Sequence, residues 1–318
     1  MSQNLSSQPI AALPNILIVL AAFNGTAYLR EQIQSILDQR GVQVHIVLSV
    51  DRSTDGTEAL VETLVQEDHR ITTLPFAQVF GGAAPNFFHL LREVDLNGYD
   101  YLAFADQDDI WLPEKLQRAH QRLTETGAAG YSSNVIAFWP SGKQVVVQKA
   151  LPQKQWDFLF EGPGPGCTFV LSSALAHACQ TLARQQTESL SPVVFHDWFL
   201  YAFARAKGYQ WVIDPQPGMR YRQHGDNQVG VNSGLKPLLR RVAKIGNGWG
   251  FAQACLTAEL VGLASDSFVS SWICGQRLGL LRLALHSAQC RRRTGDRLLF
   301  VFSCLWMALY LPSRKHRS

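Results

Sequence analysis

Three carboxylates fall within four residues, at Asp106, Asp108 and Asp109, directly after the apolar run Tyr101–Ala105. Set so close together they repel one another unless a cation or hydrogen-bond donors stand nearby. A hard divalent cation takes oxygen ligands, usually one or two protein carboxylates and the remainder from substrate phosphates. Carboxylates at the end of a buried strand can aim at one point without a long flexible loop. The cluster therefore suits a metal-bridged diphosphate. The plainer alternative is a loop of N-capping aspartates ahead of the helix that Pro113 opens.

Two earlier loops have related chemistry. After the run Val42–Val50 comes Asp51-Arg52-Ser53-Thr54-Asp55-Gly56-Thr57. Asp51 is placed to accept hydrogen bonds from a base or ribose, and Asp55 either does likewise or caps the next helix. After Ile16–Ala21 comes Ala22-Phe23-Asn24-Gly25, where backbone groups can approach a nucleotide and a helix N-terminus favours phosphate. Gly81-Gly82 with Asn86 reads as a turn. Further on, Asp197 opens a helical stretch, where a carboxylate is electrostatically favoured and capping alone would account for it. Its aromatic neighbours, Trp198, Phe199 and Tyr201, can instead form a sugar-stacking wall and partly desolvate the carboxylate, which makes it a stronger base. His224 alone reads as an ordinary satisfied histidine. Arg222 beside it makes the two together suited to a diphosphate leaving group.

The elements that must hold these residues alternate between strand and helix. Ile16–Ala21, Val42–Val50, Ile71–Leu74 and Tyr101–Ala105 read as strands. Helices lie between them, one with Leu29, Ile33, Ile36 and Leu37 on a single face, one over Glu58–Asp68, and one around Phe87–Val94. Strands separated by helices imply parallel pairing with right-handed crossovers, and ligands bind beyond the carboxyl ends of such strands. From Tyr131 to Asp214 strands mix with the loop Glu161–Gly166. From Leu235 the pattern is mainly helical, broken at Gly246–Gly250. The expected division is a short flexible lead over 1–14, a catalytic α/β domain over 15–232, and a basic helical region over 233–318, with the boundary near Gly230–Gly234.

The 318 residues carry a net charge of +4, too little to indicate nucleic-acid binding. The basic residues concentrate at the end, from Arg240 and Arg241 through Arg277, Arg282, Arg291, Arg292, Arg293 and Arg297 to Arg314, Lys315 and Arg317. The apolar run Leu298–Leu311 is shorter than the roughly 20 residues of a spanning helix. Two readings stay open for it: a helix resting on an anionic membrane face, or a terminal helix packed into the core. None of the six cysteines (Cys167, Cys179, Cys255, Cys274, Cys290 and Cys304) forms a C-x-x-C pair, so buried thiols in a reducing cytoplasm are expected.

In combination the motifs resemble a known family. Ala22-Phe23-Asn24-Gly25, then Asp51-x-Ser53-x-Asp55-Gly56-Thr57, then Asp106-x-Asp108-Asp109-x-Trp111-x-Pro113 are similar to the family 2 glycosyltransferases. The likeness runs from about Ile16 to Gly230, and Ala105–Trp111 most resembles bacterial rhamnosyltransferases of lipopolysaccharide and O-antigen assembly. The resemblance implies a GT-A fold, a mostly parallel sheet flanked by helices, here with a helical C-terminal extension. It implies that Ala22, Phe23, Asn24, Asp51, Ser53 and Asp55 line the nucleotide site, and that Asp106 and Arg222 touch the donor. It further implies Mg2+ or Mn2+ held by Asp108 and His224, and Asp197 as catalytic base. Trp111, Gly166, Cys167, Thr168, His196 and Trp198 fall on the acceptor side. The family often has Glu before the Asp197 position, where His196 stands, as in the rhamnosyltransferase-like branch.

The reaction so implied is inverting transfer of a sugar, L-rhamnose from dTDP-L-rhamnose, to a hydroxyl of a glycan or glycolipid acceptor, at the cytoplasmic face of the bacterial membrane. UDP-galactose and UDP-glucose stay open as donors. Three other classes fit parts of the pattern: a non-catalytic nucleotide-sugar binder, a membrane-surface scaffold built on the basic helices, and a nucleotidyltransferase with paired carboxylates.

Overall fold

The computed structural model describes residues 12–76, 78–224 and 248–310. Four parallel strands form its centre: β1 (Asn15–Ala22), β2 (Gln43–Val50), β3 (Ile71–Thr73) and β4 (Tyr101–Asp106), in the order β4-β1-β2-β3. Ile16 to Leu20 are at most 1% exposed, so β1 is covered on both faces, which is why its sequence is apolar throughout rather than alternating. The covering helices are α1 (Leu29–Leu37), α2 (Thr57–Glu67) and α3 (Ala83–Glu93). α1 buries Leu29, Ile33 and Ile36, at the three- and four-residue spacing of one helical face.

After β4 come β5 (Ile110–Trp111) and α4 (Lys115–Thr126), and the sheet then grows on its other side. β6 (Gly130–Ser133), β9 (Val170–Ser172) and β10 (Trp211–Asp214) complete the order β10-β6-β9-β4-β1-β2-β3, with β9 antiparallel to both its neighbours. The architecture is the mostly parallel, helix-flanked sheet that the sequence implied. A second sheet was not anticipated. β5, β7 (Val135–Phe138), β8 (Gln144–Val147) and β11 (Met219–Arg222) form it in the order β5-β11-β7-β8. Its strands have two to four residues, too few for a periodicity to register in the sequence. This small sheet matters for the site, because it carries Arg222 back beside the Asp106–Asp109 turn.

α5 (Ser173–Gln185), α6 (Thr187–Leu190) and α7 (His196–Ala206) cover the sheet with α3. The C-terminal part is helical, as expected: α8 (Trp249–Leu260), α9 (Ser270–Ile273), α10 (Arg277–Leu285), α11 (Ser287–Cys290) and α12 (Thr294–Tyr310). It is not a separate body. Cys255, Ala258, Trp272, Leu283, Cys304 and Met307 share one hydrophobic core with Phe88, Leu175 and Phe199 of α3, α5 and α7. The expected boundary at Gly230–Gly234, Arg240, Arg241, the lead up to residue 11, and the final basic residues lie outside the described residues.

The last apolar run is packed on one side and exposed on the other. α12 buries Cys304, Met307 and Ala308 against α10, yet leaves Leu298 and Leu309 about 70% exposed, with Phe302 and Tyr310 also outward. Among the described residues no helix is long and apolar enough to cross a membrane. Five of the six cysteines are buried and Cys274 is partly so.

Candidate active site

The loops after β1 and β2 are knitted together. Asn24 takes a left-handed backbone (φ 47°), which asparagine tolerates better than most residues. Its N–H donates to Ser53 Oγ at 3.0 Å, and its side-chain oxygen accepts from Thr54 N at 2.9 Å. Asp51 N donates to Ala22 O at 2.8 Å. Ala22, Asn24, Asp51 and Ser53 are thus brought together as expected. Phe23 is 53% exposed at the rim. Asp51 is 6% exposed, and its carboxylate accepts from Phe80 N and Gly81 N, each at 2.9 Å. This orders the Phe80–Gly81 turn that the sequence left as punctuation. Asp55 braces the two loops. Its carboxylate accepts from Thr26 N and Oγ1 and from Thr57 N and Oγ1, over 2.5–3.1 Å.

The acidic centre lies at the end of β4, and three distant segments close on it. Gln107, the variable position of the motif, clasps the first loop: its Oε1 accepts from Phe23 N at 2.6 Å and its Nε2 donates to Phe23 O at 2.8 Å. His224 Nε2 is 2.6 Å from Asp108 Oδ2, so the two residues expected to share a metal do meet. Arg222 N donates to Asp109 Oδ1 at 3.1 Å, and Arg222 Nε donates to the Asp108 carbonyl at 2.8 Å. The rest of the Arg222 guanidinium is fixed by Glu31 and by the rings of Tyr28 and Phe138, 4.5 and 4.7 Å away. Tyr28 also packs on His224, with centroids 5.3 Å apart. Tyr28, Glu31 and Gln107 were missed in the sequence. Tyr28 and Glu31 lie three apart at the start of α1, a spacing that signals only a shared face.

Ligand atoms of Asp106, Asp109 and Cys167 lie within 4.8 Å of one another. Burial first, then the charges of Asp108 and Asp197, push Asp106 up to about 7; burial, then Asp108 and Asp106, push Asp109 well above the carboxylate range. Asp109 is 1% exposed, and its Oδ2 has no hydrogen-bond partner. Buried Asp108 and Asp109 crowded against the half-buried Asp106, with one oxygen unmatched, fit a site that a divalent cation would neutralise. Burial raises the Cys167 thiol well above its ordinary range, so it stays protonated and is a poor ligand; the oxygens suit Mg2+ or Mn2+.

On the acceptor side the expectations need correction in detail. Trp111 is 2% exposed, because β5 pairs with β11 and buries the indole; Lys115 Nζ sits 3.5 Å from its ring centroid. The residue therefore supports the floor of the site and offers no wall to an acceptor. Lys115 itself is 1% exposed, its Nζ has no hydrogen-bond partner, and burial lowers it to about 7, against the raising influence of Cys167 and Asp109. Cys167 and Thr168 are wholly buried in the single-turn helix Gly166–Thr168, so neither side chain is offered to an acceptor. His196 is 8% exposed, its ring tilted against Phe87 at 4.1 Å with Phe104 6.1 Å away, and burial lowers it to about 4, so it is neutral. Asp197 stands in the first turn of α7, half-buried, with Oδ1 accepting from Trp198 N at 2.7 Å. A Cβ on Gly166 would lie 3.1 Å from Asp197 Cβ, so the turn lies directly against the expected base. Trp198 is half-buried and anchored by Nε1 to the Phe158 carbonyl at 2.8 Å.

Comparison with known proteins bears on the family and the fold. A family model described as Glycosyl transferase family 2 matches residues 17–185. The chain is 40% identical over 280 residues to dTDP-rhamnosyl transferase RfbG of Shigella flexneri, covering 88% of this chain and 96% of that one. It is 28% identical over 123 residues to the putative teichuronic acid biosynthesis glycosyltransferase TuaG of Bacillus subtilis, covering 37% of this chain and 47% of TuaG. Among solved structures, S. aureus TarS 1-349 in complex with UDP-GlcNAc superposes with a TM-score of 0.52 at 13% identity, over 92% of this chain and 88% of that one. The mannosyltransferase PcManGT from Pyrobaculum calidifontis, in complex with GDP-Man and Mn2+, superposes at 0.50 and 15% identity, over 95% and 82%. At such identities these structures bear on the fold alone.

Proposed function

The chain belongs to glycosyl transferase family 2, and on that premise we propose that it is an inverting rhamnosyltransferase, moving L-rhamnose from dTDP-L-rhamnose to a hydroxyl of a lipopolysaccharide core, O-antigen or related cell-surface glycan. Glycosyl transfer follows from the family; the donor follows from the near-full-length likeness to RfbG. The observation that carries the chemistry is the convergence of Asp106, Asp108 and Asp109 with Asp197, whose charge is one cause of the raised Asp106.

In this reading Asp197 takes the proton from the acceptor hydroxyl as its oxygen attacks the anomeric carbon of the donor, on the face opposite the diphosphate. The transition state resembles an oxocarbenium ion, by analogy with glycoside hydrolysis. Asn24, Asp51 and Ser53 hold the nucleotide, and the exposed Phe23 ring gives its base a surface to stack on. Asp106 orients the ribose or donor sugar. Asp108 and His224 would hold Mg2+ or Mn2+, which when bound neutralises charge building on the departing diphosphate. Arg222 adds its positive charge from the fixed position that Glu31 and the Asp108 carbonyl impose. Neutral His196 and the Gly166–Thr168 turn keep water and loose side chains away from Asp197.

A membrane-facing role fits the outer surface. Leu278, Leu281 and Leu285 of α10 and Leu298, Phe302 and Leu309 of α12 are exposed on two helices that pack together, with Arg277, Arg282 and Arg293 exposed nearby. This supports peripheral contact with an anionic bilayer at the cytoplasmic face. Binding to anionic but not neutral vesicles, weakened by salt and by Leu298→Ser with Leu309→Ser, is the expected result; equal binding to both vesicle types would count against it.

The donor assignment is tested by thermal shift with dTDP-L-rhamnose, UDP-galactose and UDP-glucose, each with and without Mn2+. A donor at 100 times its Kd stabilises by about 2.7 kcal/mol, which is easily read. Stabilisation by dTDP-L-rhamnose that needs Mn2+ is expected. A response to a UDP-sugar alone would replace the donor, and release of pyrophosphate from a nucleoside triphosphate would replace the reaction.

A further inference from the structure

Arg292 lies between α11 and α12, well beyond the 17–185 match to the family. Its side chain is nevertheless only 3% exposed, inserted beneath the loop that leads to Gly166. Its Nε is 3.4 Å from Asp157 Oδ2 and 3.4 Å from Glu161 Oε1, and its guanidinium also donates to the Gly162 carbonyl. Its backbone N donates to Glu161 Oε1 at 2.6 Å. Arg291 donates from Nη1 to the Phe160 carbonyl at 2.6 Å. Two consecutive arginines thus grip Phe160, Glu161 and Gly162.

The gripped segment borders the reacting groups. A Cβ on Gly162 would lie 3.7 Å from Trp198 Cα, and one on Gly166 would lie 3.1 Å from Asp197 Cβ. Asp157, 0% exposed, also accepts from the Tyr201 hydroxyl at 3.3 Å and pairs with Arg205 at 3.4 Å, both on α7. One buried carboxylate therefore joins Arg292 to the helix that opens with His196 and Asp197. A guanidinium so withdrawn from water is costly unless paired, and an apolar residue would often stabilise as well. What an apolar residue cannot supply is a planar fork that fixes a carbonyl and two carboxylates in direction.

We propose that Arg292 is a positioning residue for the acceptor side: it clamps Phe160–Gly162 and so sets the distance between the Gly166 turn and Asp197. The C-terminal helices thereby take part in presenting the acceptor hydroxyl. The proposal rests on the reading of Asp197 as base.

The test uses the full chain as Arg292→Met, Arg292→Lys and Glu161→Gln. The glutamine variant loosens the grip while Asp157 still pairs with the buried guanidinium, so it covers the case in which Arg292→Met does not fold. Three quantities are read: the thermal shift with dTDP-L-rhamnose and Mn2+, donor hydrolysis to water, and sugar transfer to a bacterial membrane glycolipid extract. Loss of about 1 Å of registration costs on the order of 10²-fold in rate. Transfer by Arg292→Met should fall by that order while donor shift and hydrolysis stay within about twofold of wild type. Arg292→Lys should recover part of the loss, Glu161→Gln should show the same split at smaller size, and amide hydrogen exchange over 160–168 should rise in both loosened variants. Transfer unchanged in the folded variants, or transfer, hydrolysis and donor shift falling together, would overturn the proposal. Wild-type transfer by Asp197→Asn would instead sink the reading it rests on, and is measured in parallel.

Discussion

Gly166→Ala tests whether the turn and the base are as tightly apposed as their coordinates require. The added Cβ would lie 2.7 Å from His196 Nε2 and 3.1 Å from Asp197 Cβ. Carbon atoms pack comfortably at about 3.5–4.0 Å, so something must move by roughly 0.5–1 Å. The imidazole is blocked on the side where Phe87 stands at 4.1 Å, with Phe104 at 6.1 Å. The first turn of α7 therefore shifts and takes Asp197 with it. Overpacking of this kind costs about 1–3 kcal/mol, a fall of a few degrees in Tm for a chain of this size. Displacing a base by up to about 1 Å costs on the order of 10²-fold in kcat. Donor contacts at Asn24, Asp51 and Ser53 belong to loops after β1 and β2, so donor affinity should stay within about twofold. Transfer kinetics with dTDP-L-rhamnose, calorimetric donor binding in Mn2+ and a melting curve together read all three quantities. A folded variant with wild-type kcat would refute the apposition, as would a loss confined to donor binding.

Asp197→Asn should bind donor normally and lose at least about 10²-fold in transfer, measured by single-turnover kinetics; wild-type turnover would remove it as the base. Asp108→Ala should lose the metal-dependent part of donor binding in calorimetry, and unaltered binding would move the cation elsewhere. Because burial and the neighbouring carboxylates push Asp106 up to about 7, a cation held beside it by Asp108 would favour loss of its proton, so Mn2+ affinity should rise from pH 6 to 8 with proton release visible across buffers of different ionisation enthalpy. The stability sign is opposite to that of an ordinary paired carboxylate. The folded state binds the extra proton between the unfolded value, about 3.9, and 7, so this group's contribution to ion-free stability falls as pH rises through that window. A melting temperature that climbs steadily over pH 5–7 in Asp106→Asn relative to wild type is expected, and parallel curves would contradict it. Away from the site, Arg118 forms a two-point pair with the 0% exposed Asp214 at 2.6 and 2.9 Å; Arg118→Met should cost about 3–5 kcal/mol in denaturant unfolding, and a loss under about 1 kcal/mol would mean that Tyr131 and Gln216 N suffice.

Much of the scaffold was legible because its signals are local. The unbroken apolar runs of β1 and β4 declare strands covered on both faces, and α1 declares its buried side through Leu29, Ile33 and Ile36. The ends of three of these strands carry Asn24, Asp51 and Asp106, so the end of the sheet where the candidate site lies was readable as well. What escaped was the small second sheet, whose strands are shorter than any period, and the residues that reach the centre from outside its motifs. Trp111 is the instructive error. The family resemblance placed it on the acceptor side, but its pairing through β5 to Met219 drives it beneath Lys115.

The sequence by itself determined the alternation of elements, the acidic identity of the β4 end and the candidate base, because each depends on residues close together along the chain. Only the tertiary structure decided that His224 meets Asp108, that Gln107 clasps Phe23, and that Arg292 reaches back to hold the loop beside Asp197. Those contacts span about 80 to 130 residues, and which distant groups come together is settled by how helices and sheets close over a shared core, not by any spacing written in the chain.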